Sequence, residues 1–233
     1  MFGRKKEREI FVSAVIVAAG SSTRMGENKL LMQIGWQTVI EKTLEVFDKT
    51  ERITEIILVC RQDDFVDFSK FCKVLKTPSK IVIGGQTRTH STLNGINACN
   101  EKTEIIAIHD GARPLITQDI IDASIECADK NGASIPVVPV KDTIKILENG
   151  VVERTLNREN LFAVQTPQTF KSTIIKKVTE QALTSEQIFS DDASCAEAQG
   201  VAIHTVQGSY DNIKITTLED IALASLIIDR RGF

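Results

Sequence analysis

Residues 18–29 read AAGSSTRMGENK and follow directly on the apolar run Val12 to Val17. A strand that opens into a loop of small residues leaves its backbone N–H groups exposed, and those groups form a concavity that attracts anions. Ala18, Ala19 and Gly20 allow close approach, and Arg24 and Lys29 add two positive charges. Small residues beside cations suit phosphates; a surface turn with two solvated charges is the alternative. The loop is neither G-x-x-x-x-G-K-[ST] nor G-x-G-x-x-G, so it fits neither common nucleotide fingerprint.

Two more segments could share that chemistry. In GGQTRTHSTLNG (Gly84 to Gly95), Gly84 and Gly85 permit a sharp turn, and Arg88 and Ser91 fall at the start of a helix, where N–H groups favour anions. In IHDGARP (Ile108 to Pro114), Asp110 ends a strand and could hold Mg²⁺ or a hydroxyl. Arg113 could pair with Asp110 or grip a phosphate. Three polar, loop-like segments, 156–170, 190–194 and 209–217, supply Arg158, Thr166, Ser190, Asp211 and Lys214. Asp191 and Asp192 read as capping acids of a helix start. No G-x-S-x-G elbow accompanies the three histidines, and His109 reads as a support for the loop around Asp110.

The elements that must position these residues alternate. Strand-like runs are 12–17, 55–60, 80–83, 104–108, 133–138 and 201–206, with helix-like runs between them. Trp36, Val39, Ile40, Thr43, Leu44 and Phe47 share one face at helical spacing. Thr216 with Glu219 predicts a capping box for a last helix, with Leu218, Ile221, Ala222 and Leu226 facing inward. This order predicts an α/β fold: a mostly parallel sheet, helices on both faces, and ligands beyond the C-terminal strand ends. One segment breaks the alternation. Two β-prone runs, 142–148 and 151–156, flank Asn149-Gly150, a strong hairpin signal. The resulting β-arm packs either on a second subunit or back on its own domain, since an isolated hairpin is marginal in water.

Composition narrows the classes. The chain has 233 residues, 42% apolar and 25% charged, with net charge −3. That predicts a single soluble domain over 1–233, with 1–9 as a solvated tail. The charge balance and the single Trp and Tyr argue against nucleic-acid binding. The basic start before Ile10 imitates a signal peptide, but cleavage there would destroy the anion loop. No run approaches the length of a membrane span. Five scattered cysteines without a C-x-x-C pair fit a reducing, cytoplasmic setting.

Taken together, AAGSSTRMG, GGQTRTHS, HDGARP, PVKDTIK, QTPQ, SDDAS and DNIKITT, in that order, resemble the 2-C-methyl-D-erythritol 4-phosphate cytidylyltransferase family from about Val12 to Ala224. The resemblance implies a Rossmann-like nucleotidyltransferase that works as a homodimer by exchanging β-arms, here about 138–161. It implies that Ala18, Ala19, Gly20, Arg24 and Lys29 wrap CTP, and that Gly85, Arg88 and Ser91 contact the cytidine part. It places Asp110 and Arg113 beside the polyol phosphate and a Mg²⁺ ion, and Arg158 on the partner's substrate. Thr166, Ser190 and Lys214 match the remaining contacts. Ser22 replaces a frequent glycine, the Arg24-to-Lys29 stretch is about two residues short, and Ser190 stands where threonine is usual. The implied reaction transfers CMP from CTP to a phosphate that is already an anion (second pKa about 6), so charge cancellation rather than a general base is the requirement. Arg24, Lys29 and Lys214 would supply that cancellation. Ribitol 5-phosphate cytidylyltransferase and a silent nucleotide-binding subunit are the rival readings.

Overall fold

The structure is a computed structural model that describes residues 10–20, 28–185 and 187–232. The expectations for the 1–9 tail, Ser22 and Arg24 lie outside the described residues.

In chain order the elements are β1 (Val12–Val17), β2 (Gln33–Ile34), β3 (Gln37–Thr38), α1 (Val39–Asp48), β4 (Glu55–Cys60), α2 (Phe65–Cys72), β5 (Ser79–Ile83) and α3 (Arg88–Ala98). There follow β6 (Ile105–Asp110), α4 (Gln118–Asn131), β7 (Ala133–Pro139), β8 (Lys145–Glu148), β9 (Val151–Thr155), β10 (Phe162–Val164) and β11 (Gln168–Lys171). The chain closes with α5 (Ser172–Thr184), α6 (Asp192–Glu197), β12 (His204–Gln207) and α7 (Leu218–Arg231).

The main sheet runs β5-β4-β1-β6-β11-β7, and β10 and β12 also pair with β7. The β1–β4, β1–β6, β4–β5 and β7–β12 pairings are parallel; β10 and β11 run antiparallel to their neighbours. Alternate side chains on a strand point to opposite faces, and both faces are covered here. Val12, Ala14 and Ile16 of β1 join one core with α1, Phe68 of α2, α4 and α7. Val15, Ile57 and Val59 join the other with Ile96 of α3, Ile175 of α5 and Ala196 of α6. Burial on both sides explains why β1, β4 and β6 are near-continuous runs of apolar residues.

The expected arm is present. β8 and β9 form a two-stranded ribbon, and Asn149 and Gly150 turn it with φ of 50° and 81°. Positive φ at both positions is what the Asn-Gly pair accommodates. The ribbon is exposed in this chain, Val151 at 70%.

Four expectations need correction. Trp36 is not on the α1 face: it sits in the β2–β3 turn, 91% exposed, and α1 starts only after its N-cap Thr38. The Thr38–Glu41 capping box sets that boundary. At α7 the box is one residue later, with Thr217 as N-cap and Asp220 accepting from the Thr216 and Thr217 N–H groups. Ile221 packs on the core as expected, but the buried positions are Ala224, Ile227 and Ile228, while Ala222 is exposed and Leu218 and Leu226 are 59% and 64% exposed. Finally, the segment read as a loop over 156–170 contains β10 and the start of β11. Those strands are only three and four residues long and are held by pairing with β6 and β7, which no local periodicity announces.

Candidate active site

The C-terminal ends of β1, β5 and β6 surround a cavity of about 400 Å³. Its walls include Ala18, Ala19, Gly20 and Lys29 from the first loop, Gly85, Arg88 and Ser91 from the second, and Asp110 and Lys214. These nine residues come from four separated stretches of chain, and all nine are among the predicted site residues.

Each wall has a local cause. Ala18 is fixed by its N–H, which donates to Val59 O at 2.7 Å. Gly84 must be glycine, because a Cβ there would lie 2.4 Å from the Ala19 Cβ. The two loops therefore touch backbone to side chain, with no room for another methyl group. Ser91 binds the second loop to its own helix: it accepts from Gly85 N–H at 3.1 Å and donates to Thr87 O at 3.0 Å. Thr87 caps α3 by accepting from His90 N–H, and Gln86, Thr87 and Arg88 turn the start of that helix toward the cavity.

Asp110 is the electrostatic centre. Lys214 Nζ lies 2.8 Å from Oδ2, Arg113 Nε 3.6 Å from Oδ2, and Arg88 Nη2 3.8 Å from Oδ1. Burial pushes its carboxyl up, but Lys214, Arg88 and Arg113 outweigh that and hold it at about 2. Arg88 is gripped more tightly by Asp192, at 2.8 Å. Burial opposes its charge, yet Asp192 and Asp110 raise its pKa above the ordinary value. Asp192 is thus an ion-pair partner, not merely a capping acid; Asp191 alone caps α6, accepting from Ser194 N–H at 2.9 Å.

Behind Asp110 lies a buried polar layer. His109 Nε2 is 3.1 Å from Arg113 O, a carbonyl that can only accept, so Nε2 carries the proton. Nδ1 must then accept from the Thr166 hydroxyl at 2.9 Å, and the same hydroxyl accepts from Asp110 N–H at 3.2 Å. Burial lowers the His109 pKa to about 4, so the ring is neutral at ordinary pH. Thr166 spends its hydroxyl inside the protein, so it holds Asp110 and does not line the cavity. Arg113 is likewise set back; its Nη1 donates to Asn212 O at 2.8 Å. Asn212 donates to Thr166 O at 3.0 Å, closing the layer.

Two predicted residues stand apart. Arg158, on the arm, donates to Lys141 O at 2.6 Å and does not line the cavity. Ser190 is exposed just before α6 and also lies outside the lining. Sequence reasoning missed Asp192, Asn212 and Gln168. Gln168 accepts from Ala193 N–H at 2.8 Å and donates to Asp191 at 2.7 Å, which ties α6 to β11. The QTPQ, SDDAS and DNIKITT segments marked the right neighbourhoods.

A mixed sheet of this order, with small residues at the end of its first strand and one lysine and two arginines around a strand-end carboxylate, defines the fold class of a Rossmann-like nucleotidyltransferase. The model of the 2-C-methyl-D-erythritol 4-phosphate cytidylyltransferase family matches residues 12–230. The chain belongs to that family. It is 43% identical over 226 residues to the Alkaliphilus oremlandii protein of that name, covering 94% of this chain and 95% of that one. It is 40% identical over 230 residues to the Bacillus pumilus protein, covering 96% and 100%. The crystal structure of 4-diphosphocytidyl-2C-methyl-D-erythritol synthase from Anaerococcus prevotii superposes with a TM-score of 0.87 at 34% identity, covering 95% and 97%.

Proposed function

We infer that this enzyme transfers CMP from CTP to 2-C-methyl-D-erythritol 4-phosphate, giving 4-diphosphocytidyl-2-C-methyl-D-erythritol and pyrophosphate in isoprenoid biosynthesis. The observation that carries the site assignment is the convergence of Lys29, Arg88 and Lys214 on one cavity floored by backbone and centred on Asp110.

The chemistry follows from charge. A phosphate monoester is largely dianionic at pH 7 and needs no general base. The neutral, fully engaged His109 agrees with that. What the protein must do is bring two anions together and stabilise charge at the α-phosphorus and the leaving pyrophosphate. Lys29 and the cavity wall at Ala19 and Gly20 face the triphosphate, with Ala18 anchoring that wall and Arg24 on the same loop. Gly85, Arg88 and Ser91 seat the cytidine part. Lys214, steered by Asp110, shares the charge at the reacting phosphorus. Arg113 and Thr166 act from behind, by fixing Asp110.

Among the described residues no group of three or more His, Cys, Asp or Glu side chains could cage a metal. Mg²⁺ suits such a site, because it is commonly held by one or two carboxylates plus substrate phosphates. Asp110 is the carboxylate that would hold it. Bound there, Mg²⁺ would neutralise phosphate charge.

The exposed apolar side chains of the arm, Leu147, Val151 and Val152, with Phe162 beside it, support a homodimer in which arms are exchanged. Arg158 then reaches the partner's substrate, which accounts for its absence from this chain's own cavity. No helix among the described residues is long and apolar enough to cross a membrane.

The decisive assay is pyrophosphate release with CTP, UTP or ATP and either methylerythritol phosphate or ribitol 5-phosphate. Turnover is expected with CTP and methylerythritol phosphate, and Lys29→Ala or Lys214→Ala should lower it about 10²-fold. Turnover only with ribitol 5-phosphate, or CTP binding without pyrophosphate release, refutes the reading.

A further inference from the structure

We propose that Asn28 and Asp64 form a latch that positions Lys29 for the reaction, an inference that rests on the role given to Lys29 above. Asp64 lies outside the cavity wall, in the short turn between β4 and α2, and is buried. Its Oδ1 accepts from Asn28 Nδ2 at 2.7 Å. Arg61 clamps the same carboxylate, Nε to Oδ2 at 2.7 Å and Nη2 to Oδ1 at 3.1 Å.

Asn28 works at both ends. Its side-chain oxygen accepts from Leu30 N–H at 3.1 Å, and its backbone oxygen accepts from Leu31 N–H at 2.9 Å. Those bonds wind the single turn that carries Lys29. Leu30 is buried in the core at 4% exposure. Lys29 is therefore held between an anchored amide on one side and a buried leucine on the other. Asn28 thus ties the turn that carries Lys29 to the turn that follows β4.

The chemistry of the latch suits its place. A buried carboxylate is poor value for stability alone, since apolar packing usually does as well. Here it accepts from two partners whose geometry it fixes. Arg61 also neutralises it, so the latch adds no net repulsion next to a triphosphate. Holding a reacting group within an ångström of its place is worth about 10²-fold in rate. Asn28 and Asp64 are positioning residues; neither is assigned a contact with substrate.

Asn28→Asp tests the latch. It keeps the acceptor for Leu30 N–H but replaces the amide donor with a carboxylate facing Asp64. The expected result is a kcat about 10- to 100-fold lower, with the KM for CTP changed far less. Adding Asp64→Asn restores an amide donor across the same gap, and about tenfold of the lost kcat should return. The charge brought in at position 28 is present in both variants, so the recovery reports the contact. In a Lys29→Ala background, Asn28→Asp should change kcat by less than about twofold, because the group it positions is gone. Normal kcat in Asn28→Asp, no recovery in the double variant, or an equal loss without Lys29 overturns the latch. Normal kcat in Lys29→Ala overturns the reading of the site and the latch with it, whereas a normal Asn28→Asp beside a crippled Lys29→Ala overturns the latch alone.

Discussion

Acid should weaken the folded enzyme through one buried ring. His109 is fully buried on β6, between Phe47 at a ring distance of 4.9 Å and the Asp110 loop. Burial lowers its pKa from 6.5 to about 4. The unfolded chain takes up a proton on this residue below about pH 6.5, while the folded protein does not until about pH 4. Unfolding therefore binds a proton in that window, and stability falls as pH falls through it. Above pH 7 both states are neutral and the residue contributes no slope. Fully expressed, the gap between 6.5 and about 4 is about 3 kcal/mol, of which about 2 kcal/mol is felt at pH 5. The assay is urea unfolding at pH 7.5 and pH 5.0, for the natural sequence and for His109→Gln. The glutamine does not titrate, and His90 and His204 are common to both proteins, so they cancel in the comparison. The natural protein should lose about 2 kcal/mol more than the variant over that interval. Equal losses in the two proteins would refute the buried, neutral ring and the hydrogen-bond directions drawn from it.

Two further outcomes follow from contacts at the site. Gly84→Ala should abolish CTP binding while leaving most of the fold, since its methyl would sit 2.4 Å from Ala19 Cβ and 2.8 Å from Ser91 Oγ; isothermal titration with CTP beside a far-ultraviolet dichroism spectrum checks both halves. Asp192→Ala strips Arg88 of its 2.8 Å partner and should cost about 1.5–3 kcal/mol in urea unfolding, with a raised KM for CTP; an unchanged KM would show that Arg88 needs no support from α6.

Local sequence made much of the frame legible because the forces involved are local or repetitive. Val12–Val17 and Glu55–Cys60 announce doubly covered strands by near-continuous apolar character. Asn149-Gly150 announces its hairpin because few other pairs tolerate two positive φ values. The strand-end rule then points to Gly20, Gly85 and Asp110, which line one cavity. The errors share a cause as well. Trp36 continued the apolar spacing of α1, and only the cap at Thr38 decides that the helix has not yet begun. On α7 Ile221 is placed correctly, but the leucines are not: Ala224, Ile227 and Ile228 face inward instead, because which residues do so depends on what Phe47, Ile34 and their neighbours leave to be covered.

What the amino-acid order supplied unaided was the inventory: a small-residue loop with two cations, a strand-end carboxylate, cations in four later segments, and the alternation that sets them along one edge of a sheet. What only the folded chain decided was which of them meet. Lys214 reaches Asp110 from 104 positions away in the chain and Asp192 reaches Arg88 across |i−j| of 104, while Thr166 and Arg113 turn inward to become supports. Such pairings depend on distances across the closed core, where burial makes each unpaired charge costly and so selects its partner; no spacing along the chain encodes that cost.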